Sequence, residues 1–575
     1  MNGGSSTPTA TSATPAARAT ASASAPPEPQ SPPAETPSAA SARATTPAHA
    51  HAPHAQHTEP SATSDHGSPG STPSAASSSA SSGPATPPVA PVSSTESRLS
   101  PPLAARKAAA VRAAAAEGLI SDDSPVAGFI DLDAIAASQA ELKQAFGSIP
   151  SPVLHTFAAK AASLVPMLRL FADAGMGCEA ASPGELAQAL AAGFPPDRIV
   201  LDSPAKTTSE LRDALRLGVA VNADNFTELE RIDGLLRELD LLDGHDGLGN
   251  RSPYADASIR LINAPALGLR VNPQVGAGTI EAMSTASARS KFGVPLLDEG
   301  GREAILDAFD RYPWLSRLHV HVGSQGCPLE LIAAGVRSVY ELAEQINGRA
   351  DADSDAESIR RRVTSIDIGG GLPVNFSDDR TTPTFAEYAE VLRAAVPGLF
   401  DGRYGLVTEF GRSLCAKNGF TLARVEYAKQ VGDRRVALTH AGAQVATRTV
   451  FMPESWPLRV SGYGPDGQPK LGPRCTHDVA GPCCFAGDLV AAGREIEELD
   501  SGDLILLHDT GGYFFTAPWA YNSLPRPDVY GFRVAPDGSV RFTLMRRRQT
   551  LEEIVAEAGG DPASAYALTS EHSLA

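Results

Sequence analysis

The sequence predicts an α/β protein that combines a (β/α)8 barrel of the TIM type with a C-terminal, mainly antiparallel β domain. Eight short apolar runs alternate with helix-like segments over about 260 residues, which is the pattern of such a barrel. From about Val425 onward the sequence pattern changes. Runs in which apolar and polar residues alternate, such as VYGFRVAP, are separated by turns rich in Gly, Pro and Asp. This alternation is typical of antiparallel strands with one buried face.

The composition divides the chain into four parts. Residues 1–97 consist mostly of Ala, Ser, Pro and Thr, and no aromatic residue precedes Phe129, so we expect a disordered tail. Residues 98–150 are expected to join the β domain and to lead into the barrel. The barrel is expected to span residues 151–424, and the C-terminal β domain residues 425–575.

The charge and the cysteines argue against several classes of protein. The 48 basic and 66 acidic residues give a net charge of −18, which disfavours a sequence-independent grip on nucleic acid. No apolar run is long enough to cross a bilayer and the N-terminus lacks a signal-peptide pattern, so the cytoplasm is the simplest location. The six cysteines show no CxxC spacing. We therefore expect no nucleic-acid partner, no membrane partner, no disulfide framework and no metal site.

The barrel strands are predicted from short runs bounded by turn residues. The first, VLHTFAAK, ends at Lys160, and the others are MGCEAA, RIVLD, VAVNAD, LGLRVNP, RLHVHVGS, VTSIDIGGG and YGLVTEFGR. Three intervening helices are predicted to begin at a capping side chain that stands three residues before a glutamate, at Ser182, Thr207 and Asn225. A glycine stands near the far end of each helix, at Gly193, Gly218 and Gly234.

Strands seven and eight end in residues that suit an anion. Strand seven ends in three consecutive glycines, Gly369, Gly370 and Gly371, and strand eight ends in EFGR, which includes Arg412. Glycine lets the backbone N–H groups approach an anion closely, and these two loops are the usual phosphate site of this barrel. An ordinary tight turn would explain the glycines alone equally well, but their position beside Arg412 favours a phosphate site.

Lys160 closes the first strand on an apolar run, where desolvation is expected to lower its pKa and leave a nucleophilic amine. In isolation, a lysine whose ammonium snorkels from a strand end explains the pattern better. A phosphate cradle, a barrel-top lysine and the carboxylate of Glu409 together indicate pyridoxal 5′-phosphate. Lys160 would bind this cofactor as an imine, and Glu409 would keep its pyridine nitrogen protonated.

Nine motifs in this order make the chain resemble a known family, the fold type III pyridoxal-phosphate decarboxylases. They are FAAKAA, SPGELAQALAAGFPPDRIV, LRVNP, SKFG, HVHVGSQ, DIGGGLP, EFGR, GPCCFAGD and PRPDVYG. The family contains the diaminopimelate and ornithine decarboxylases, and its barrel and β domain are similar to those of alanine racemase. The likeness runs from about Ser124 to Phe532 and leaves the N-terminal tail outside.

The resemblance implies a role for each motif residue. Lys160 would hold the cofactor, Glu409 would bond its ring nitrogen, and His321, rather than the neighbouring His319, would stack on its ring. The cofactor would be surrounded by Ser324, Gly369, Gly370, Gly371, Gly411 and Arg412. Cys484 would be the general acid that reaches the cofactor from the partner subunit, and Tyr513 would line the same shared site. The protein would therefore be a homodimer that acts on an amino acid.

Two departures from the family pattern bear on the substrate. Phe485 follows Cys484 where the family's decarboxylases of diamino acids have Glu or Asp, and a phenyl ring cannot balance a buried ammonium. The stretch RTVFM keeps Arg448 but puts Met452 where the diaminopimelate enzymes have a tyrosine. Arg448, together with Arg412, would still hold a carboxylate. We therefore expect a substrate whose distal part is acidic or acylated and carries no free amine.

Three functions are compatible with these residues. Decarboxylation of an amino acid, as in diaminopimelate decarboxylase, is the leading hypothesis. A racemase or epimerase would need acid/base groups on both faces of the cofactor, for which Lys160 and Tyr513 would serve. A non-catalytic regulatory protein would be expected to lose Lys160, Cys484 or the glycine turn, and all three are present.

Overall fold

The computed structural model describes residues 101–242, 266–352 and 362–560. The predicted disordered tail, residues 1–97, lies outside these ranges. Within them, no helix combines the length and the apolarity that crossing a membrane requires.

The first described elements lead from the C-terminal sheet into the barrel. They are helix α1 (Leu103–Ala116), strand β1 (Val126–Asp131) and helix α2 (Leu132–Phe146). Strand β1 belongs to the sheet of the β domain, although it precedes the barrel in the chain. The carboxylate of Asp131 caps α2 by accepting the N–H groups of Asp133 and Ala134, which turns the chain from that sheet toward the barrel.

Eight parallel strands close a barrel, which confirms the predicted (β/α)8 fold. They are β2 (Val153–Ala158), β3 (Gly177–Ala180), β4 (Ile199–Leu201), β5 (Ala220–Ala223), β6 (Leu267–Asn272), β8 (Leu315–His319), β9 (Ser365–Asp367) and β10 (Gly405–Phe410). The ring closes where β10 pairs with β2, with Leu406 opposite Val153. A two-residue strand, β7 (Val294–Pro295), extends the edge beside β6.

Helices cover the outside of the barrel. They are α3 (Val165–Asp173), α4 (Pro183–Ala192), α5 (Thr208–Leu217), α6 (Phe226–Glu238), α7 (Gly301–Arg311), α8 (Leu329–Ala352), α9 (Phe385–Ala395) and the short α10 (Arg412–Cys415). The three predicted caps are observed, because the side chains of Ser182, Thr207 and Asn225 each accept a backbone N–H of their helix. Gly193 and Gly218 end their helices in the left-handed region, whereas Gly234 lies within α6, which continues to Glu238.

The barrel interior changes from apolar to charged along its axis. Near the amino ends of the strands, four small or branched side chains form one cluster: Leu154, Val200, Ala220 and Val407. Farther along, buried polar groups pair across the interior, as where Nδ2 of Asn222 lies 3.3 Å from an oxygen of Asp367. The charged end coincides with the carboxyl ends of the strands, where sites form in this fold.

The C-terminal domain is a mainly antiparallel β structure, as predicted. Its elements are β11 (Gly419–Val431), β12 (Arg434–Thr439), α11 (Ala443–Phe451), β13 (Val460–Tyr463), β14 (Arg474–Ala480), β15 (Leu489–Glu497), β16 (Leu504–Leu507), β17 (Asp528–Val534), β18 (Val540–Arg546) and α12 (Leu551–Glu557). The main sheet runs β15-β14-β12-β11-β1-β17-β18, and β13 and β16 extend it from β11. Only β12 with β14 and β1 with β17 pair in parallel within this sheet.

A buried ion pair fastens α1 to the segment between the two domains. The guanidinium of Arg106 contacts both oxygens of Asp131, at 2.6 and 2.8 Å, and both side chains are almost fully buried. A second contact joins Arg106 to Asp133 at 2.6 Å. Because these charges are away from water, the pair requires both partners.

We expect Arg106→Leu to lower the free energy of unfolding by about 3 kcal/mol, because it leaves the Asp131 carboxylate buried without its cation. Chemical denaturation followed by tryptophan fluorescence measures the change. The control is Arg237→Ala, which removes an exposed pair with Asp233 at 3.0 Å and should cost less than about 0.5 kcal/mol. Equal effects of the two substitutions would contradict the assignment.

Candidate active site

The glycine turn after β9 packs tightly against two neighbouring strand ends. Gly369 and Gly371 have φ values of 67° and 97°, which disfavour residues with a side chain. A Cβ on Gly370 would lie 2.1 Å from the carbonyl oxygen of Glu409, and one on Gly371 would lie 2.0 Å from that of Gly323. The turn therefore needs glycine for its conformation and for its close approach to the backbone of the strands on either side.

Lys160 stands in a short 3-10 turn directly after β2 and forms an ion pair with Glu179 on β3. Glu179 is fully buried, whereas the Lys160 side chain is 40% exposed. Burial lowers the pKa of Lys160, but its interactions with Glu179, Tyr513 and Glu409 raise the pKa by more, so it lies above its ordinary value. The expected lowering was wrong because the sequence around Lys160 does not reveal that Glu179 lies on the adjacent strand.

Glu409 presents a buried oxygen that lacks a protein partner. The side chain is 4% exposed, and among the described residues no group bonds its Oε1 atom. Burial raises the pKa of Glu409 well above its usual value, and the nearby carboxylates of Asp202 and Glu179 raise it further. A carboxyl group of this kind is ready to bond a ligand, because an unsatisfied buried oxygen is costly.

His321 is held against the glycine turn. Its Nδ1 atom accepts the N–H of Gly370 at 3.1 Å. Burial lowers the pKa of His321 well below its usual value, as do the charges of Arg270 and Lys160. The ring is therefore neutral, and its bond to Gly370 joins the predicted stacking residue to the predicted phosphate turn.

The remaining predicted cofactor residues surround the same opening. Tyr513 donates its backbone N–H to Ala161 at 2.8 Å, which ties this loop of the β domain to the turn of Lys160. A Cβ on Gly411 would lie 2.9 Å from that of Ala161, so the EFGR segment passes beside the same turn. Ser324 follows β8, and its backbone N–H donates to the carbonyl of Met283 at 3.0 Å.

Two arginines lie side by side between the same two aromatic rings. The guanidinium carbons of Arg412 and Arg448 lie 4.5 and 4.7 Å from the ring centre of Tyr513, and 4.6 and 5.2 Å from that of Trp456. Among the described residues, no group bonds any guanidinium nitrogen of Arg412 or Nη1 of Arg448. Burial lowers the pKa of Arg412 to about 10, with a further contribution from Arg448. Paired, desolvated cations with free donors suit an anion.

Cys484 lies on an exposed loop of the β domain. Its backbone N–H donates to Oδ1 of Asn522 at 2.8 Å, and the residue is exposed to solvent. Within the described ranges, no hydrogen bond or ion pair joins Cys484 to Lys160 or Glu409. The structure of one chain therefore gathers the barrel residues but leaves the predicted general acid apart from them.

Phe485 belongs to a group of four rings, which we call the aromatic cluster: Phe451, Phe485, Trp519 and Tyr521. Phe485 stacks on Phe451 with ring centres 5.5 Å apart and an angle of 9° between the planes. Tyr521 meets Phe485 edge-on at 5.7 Å and stacks on Trp519 at 4.6 Å. Packing therefore fixes the Phe485 ring beside Cys484, and the 54% exposure of Phe451 leaves the cluster partly open to solvent.

Several residues of this region had no predicted role. Glu179, Asp202 and Arg270 lie at or just after the carboxyl ends of β3, β4 and β6, a position that could have singled them out. Nothing in the sequence marked Trp456 as a site residue except the rarity of tryptophan, of which the chain has three. Its contact with Arg412 depends on the packing of the β domain against the barrel.

The assembled groups fit pyridoxal 5′-phosphate. Lys160 offers an amine, Arg412 offers buried donors for a phosphate, and Oε1 of Glu409 offers a bond to a ring nitrogen. The unpaired donors and the unpaired oxygen are buried polar atoms, which proteins normally satisfy. A ligand that carries both an anion and a ring nitrogen would satisfy them together.

Comparison with known proteins gives the same result. The family model described as "Pyridoxal-dependent decarboxylase, pyridoxal binding domain" matches residues 132–416. Diaminopimelate decarboxylase from Pseudomonas fluorescens is 31% identical over 411 residues, which cover 70% of this chain and 86% of the relative. The Bacillus subtilis (strain 168) enzyme of that name is 30% identical and covers 74% and 89%.

The fold also matches solved structures. A crystal structure of diaminopimelate decarboxylase from Helicobacter pylori complexed with L-lysine superposes with a TM-score of 0.62 at 24% sequence identity. The match covers 77% of this chain and 99% of that chain. At this identity the likeness concerns the fold.

We expect Gly371→Ala to weaken the binding of pyridoxal 5′-phosphate at least about tenfold, because the added methyl group would push the glycine turn away from Gly323. Fluorescence titration with the cofactor measures the affinity. Gly432→Ala is the matched control, since Gly432 has a φ of 61° but no atom within 4 Å of an added Cβ. A similar loss of affinity in both variants would contradict the role of the close contact.

Proposed function

The chain belongs to the fold type III pyridoxal-dependent decarboxylases, and we propose that Lys160 binds the cofactor and that Cys484 returns the proton to the substrate carbon. The protein is a pyridoxal 5′-phosphate-dependent amino-acid decarboxylase. The observation that carries the assignment of Lys160 is its place beside Glu179, at the same end of the barrel as Glu409 and the glycine turn. We place the enzyme in the cytoplasm.

The bound cofactor supplies an electron sink for the bonding electrons that remain when carbon dioxide leaves the substrate. Glu179 positions Lys160 at this end of the barrel through their ion pair, which raises the pKa of Lys160 and keeps its amine protonated. Oε1 of Glu409 holds a proton at the ring nitrogen. The phosphate is held by Ser324, Gly369, Gly370, Gly371, Gly411 and Arg412, and Tyr513 closes the opening.

Cys484 acts, in this proposal, in the active site of a second subunit. The residue is exposed, and within the described ranges no hydrogen bond or ion pair joins it to Lys160 or Glu409. A homodimer in which each β domain presents its Cys484 loop to the other barrel would complete both sites. The thiol then protonates the substrate carbon after carbon dioxide has left.

The substrate has, we propose, an anionic or acylated distal part. Arg412 is buried beside the partly buried Arg448, and among the described residues no group bonds the guanidinium nitrogens of Arg412 or Nη1 of Arg448, an arrangement that one carboxylate would satisfy through two-point bonds. Phe485 is held in the aromatic cluster and supplies no negative charge for a distal ammonium. Such an ammonium, once desolvated without a partner, would cost several kcal/mol of binding free energy.

The covalent role of Lys160 is tested by absorbance. We expect the purified enzyme loaded with pyridoxal 5′-phosphate to absorb between roughly 410 and 430 nm, and Lys160→Ala to lack this band and all decarboxylation. The exposed Lys429→Ala, in the β domain, is the control and should keep both. A Lys160→Ala variant that keeps the band would disprove the assignment.

The specificity is tested at Phe485. We expect slow turnover of diaminopimelate by the natural enzyme and at least about tenfold faster turnover by Phe485→Glu, since the new carboxylate would pair with the distal ammonium. Evolved carbon dioxide measures the rate. Phe485→Leu is the control, because it removes the ring without adding a charge. It shows how much of any gain in rate comes from the removal of the ring and how much from the new carboxylate. Fast turnover of diaminopimelate by the natural enzyme would refute the proposal.

A further inference from the structure

His319 lies between two carboxyl groups inside the barrel. Its Nδ1 atom is 3.5 Å from Oδ1 of Asp202, and its Nε2 atom is 3.6 Å from Oε2 of Glu409. The side chain is fully buried, and among the described residues neither ring nitrogen has a hydrogen-bond partner by strict geometry. A buried histidine that only filled the core would be expected to have at least one such bond.

The surroundings of His319 carry four carboxyl groups. The β-sheet register places Arg270 on one side of His319 and Asp367 on the other. The charged groups that face His319 and Glu409 from the neighbouring strands and turns are Lys160, Glu179, Asp202, Arg270, His321, Arg317 and Asp367. Four carboxyl groups in one buried cluster cannot all be ionised, so the positions of the protons matter.

The environment of each group decides which one carries a proton. The pKa of Asp202 is lowered overall: burial raises it, but His319 and Arg270 outweigh that effect. Burial and the neighbouring carboxylates raise the pKa of Glu409, and burial lowers that of His319. Asp202 is therefore ionised, His319 neutral and Glu409 protonated before a ligand binds.

A neutral imidazole has one N–H donor and one lone pair, which matches this distribution. With the proton on Nδ1, His319 donates toward the ionised Asp202, and its Nε2 lone pair faces the carboxyl proton of Glu409. Arg270 fixes the other oxygen of Asp202, at 3.3 Å. The three side chains thus lie in a row, with gaps of 3.5 and 3.6 Å, and its far end is the Oε1 atom of Glu409, which has no partner among the described residues.

We propose that Asp202, His319 and Glu409 form a proton relay in which His319 sets the charge of Glu409 at the ring nitrogen of the cofactor. This inference rests on the proposed function. In one direction a proton moves from Oε2 of Glu409 to Nε2, while another moves from Nδ1 to Asp202. The total charge is unchanged, and Glu409 becomes a carboxylate that accepts an N–H bond from His319 and is matched to a protonated ring nitrogen. His319 acts through Glu409 and is a positioning residue.

The relay is tested by titrating the ring nitrogen in the loaded enzyme, with 15N-labelled pyridoxal 5′-phosphate observed by NMR. We expect His319→Leu to lower the pH at which this nitrogen loses its proton by at least about one unit, because ionised Glu409 loses its donor. His155→Gln is the control, since His155 is also a buried barrel histidine but bonds Thr408 instead. It should leave the midpoint unchanged.

Two further variants separate the relay from a structural role. The amide of His319→Gln would reach Glu409, whereas that of His319→Asn would reach only toward Asp202, so we expect the Gln variant to shift the midpoint less. Equal midpoints in the Gln, Asn and natural proteins would overturn the relay, even if the Leu variant does not fold. A natural enzyme that binds no pyridoxal 5′-phosphate would overturn the proposed function as well, which distinguishes the two failures.

Discussion

The need to compensate buried charge at the carboxyl end of the barrel governs the whole site. Glu179, Asp202, Asp367 and Glu409 are all nearly or fully buried there, and each carboxylate requires a cation, a hydrogen bond or a proton. Lys160 and Arg270 supply two of the cations. Among the residues that the structure describes this compensation is incomplete, because no group bonds Oε1 of Glu409. The incomplete balance is what makes the barrel end a binding site for a ligand with its own ring nitrogen.

The need to compensate desolvated charge also applies to the part of the site around Arg412 and Arg448, where the charges are positive. Arg412 is a buried and Arg448 a partly buried cation; buried donors of both have no partner among the described residues, and both face the aromatic rings of Trp456 and Tyr513. Ring faces attract cations but do not neutralise them. One end of the opening therefore lacks a cation and the other lacks an anion, and a phosphorylated cofactor with an acidic substrate would complete both.

The sequence predicted those parts of the site that are determined by residues close together in the chain. Glycine repeats, strand ends and helix caps depend on neighbours along the chain, so the barrel, the glycine turn and the caps at Ser182 and Thr207 were accessible. The pKa of Lys160 was predicted in the wrong direction because Glu179 is its neighbour only across the sheet. Trp456 was missed for the same reason, since its contact with Arg412 is made between domains.

In the proposed function, chemistry and specificity rest on different parts of this chain, and that division would explain how one can change without the other. Lys160 and Glu409 are fixed by barrel strands and by buried charges, so substitution there would disturb several compensating groups at once. Phe485 packs within the partly exposed aromatic cluster and against the apolar core of the β domain, and no ion pair of the described residues involves it. An acidic residue can therefore be exchanged for phenylalanine at this position while the buried charges remain balanced. The selectivity for the distal part of the substrate is then the property that such an exchange alters first.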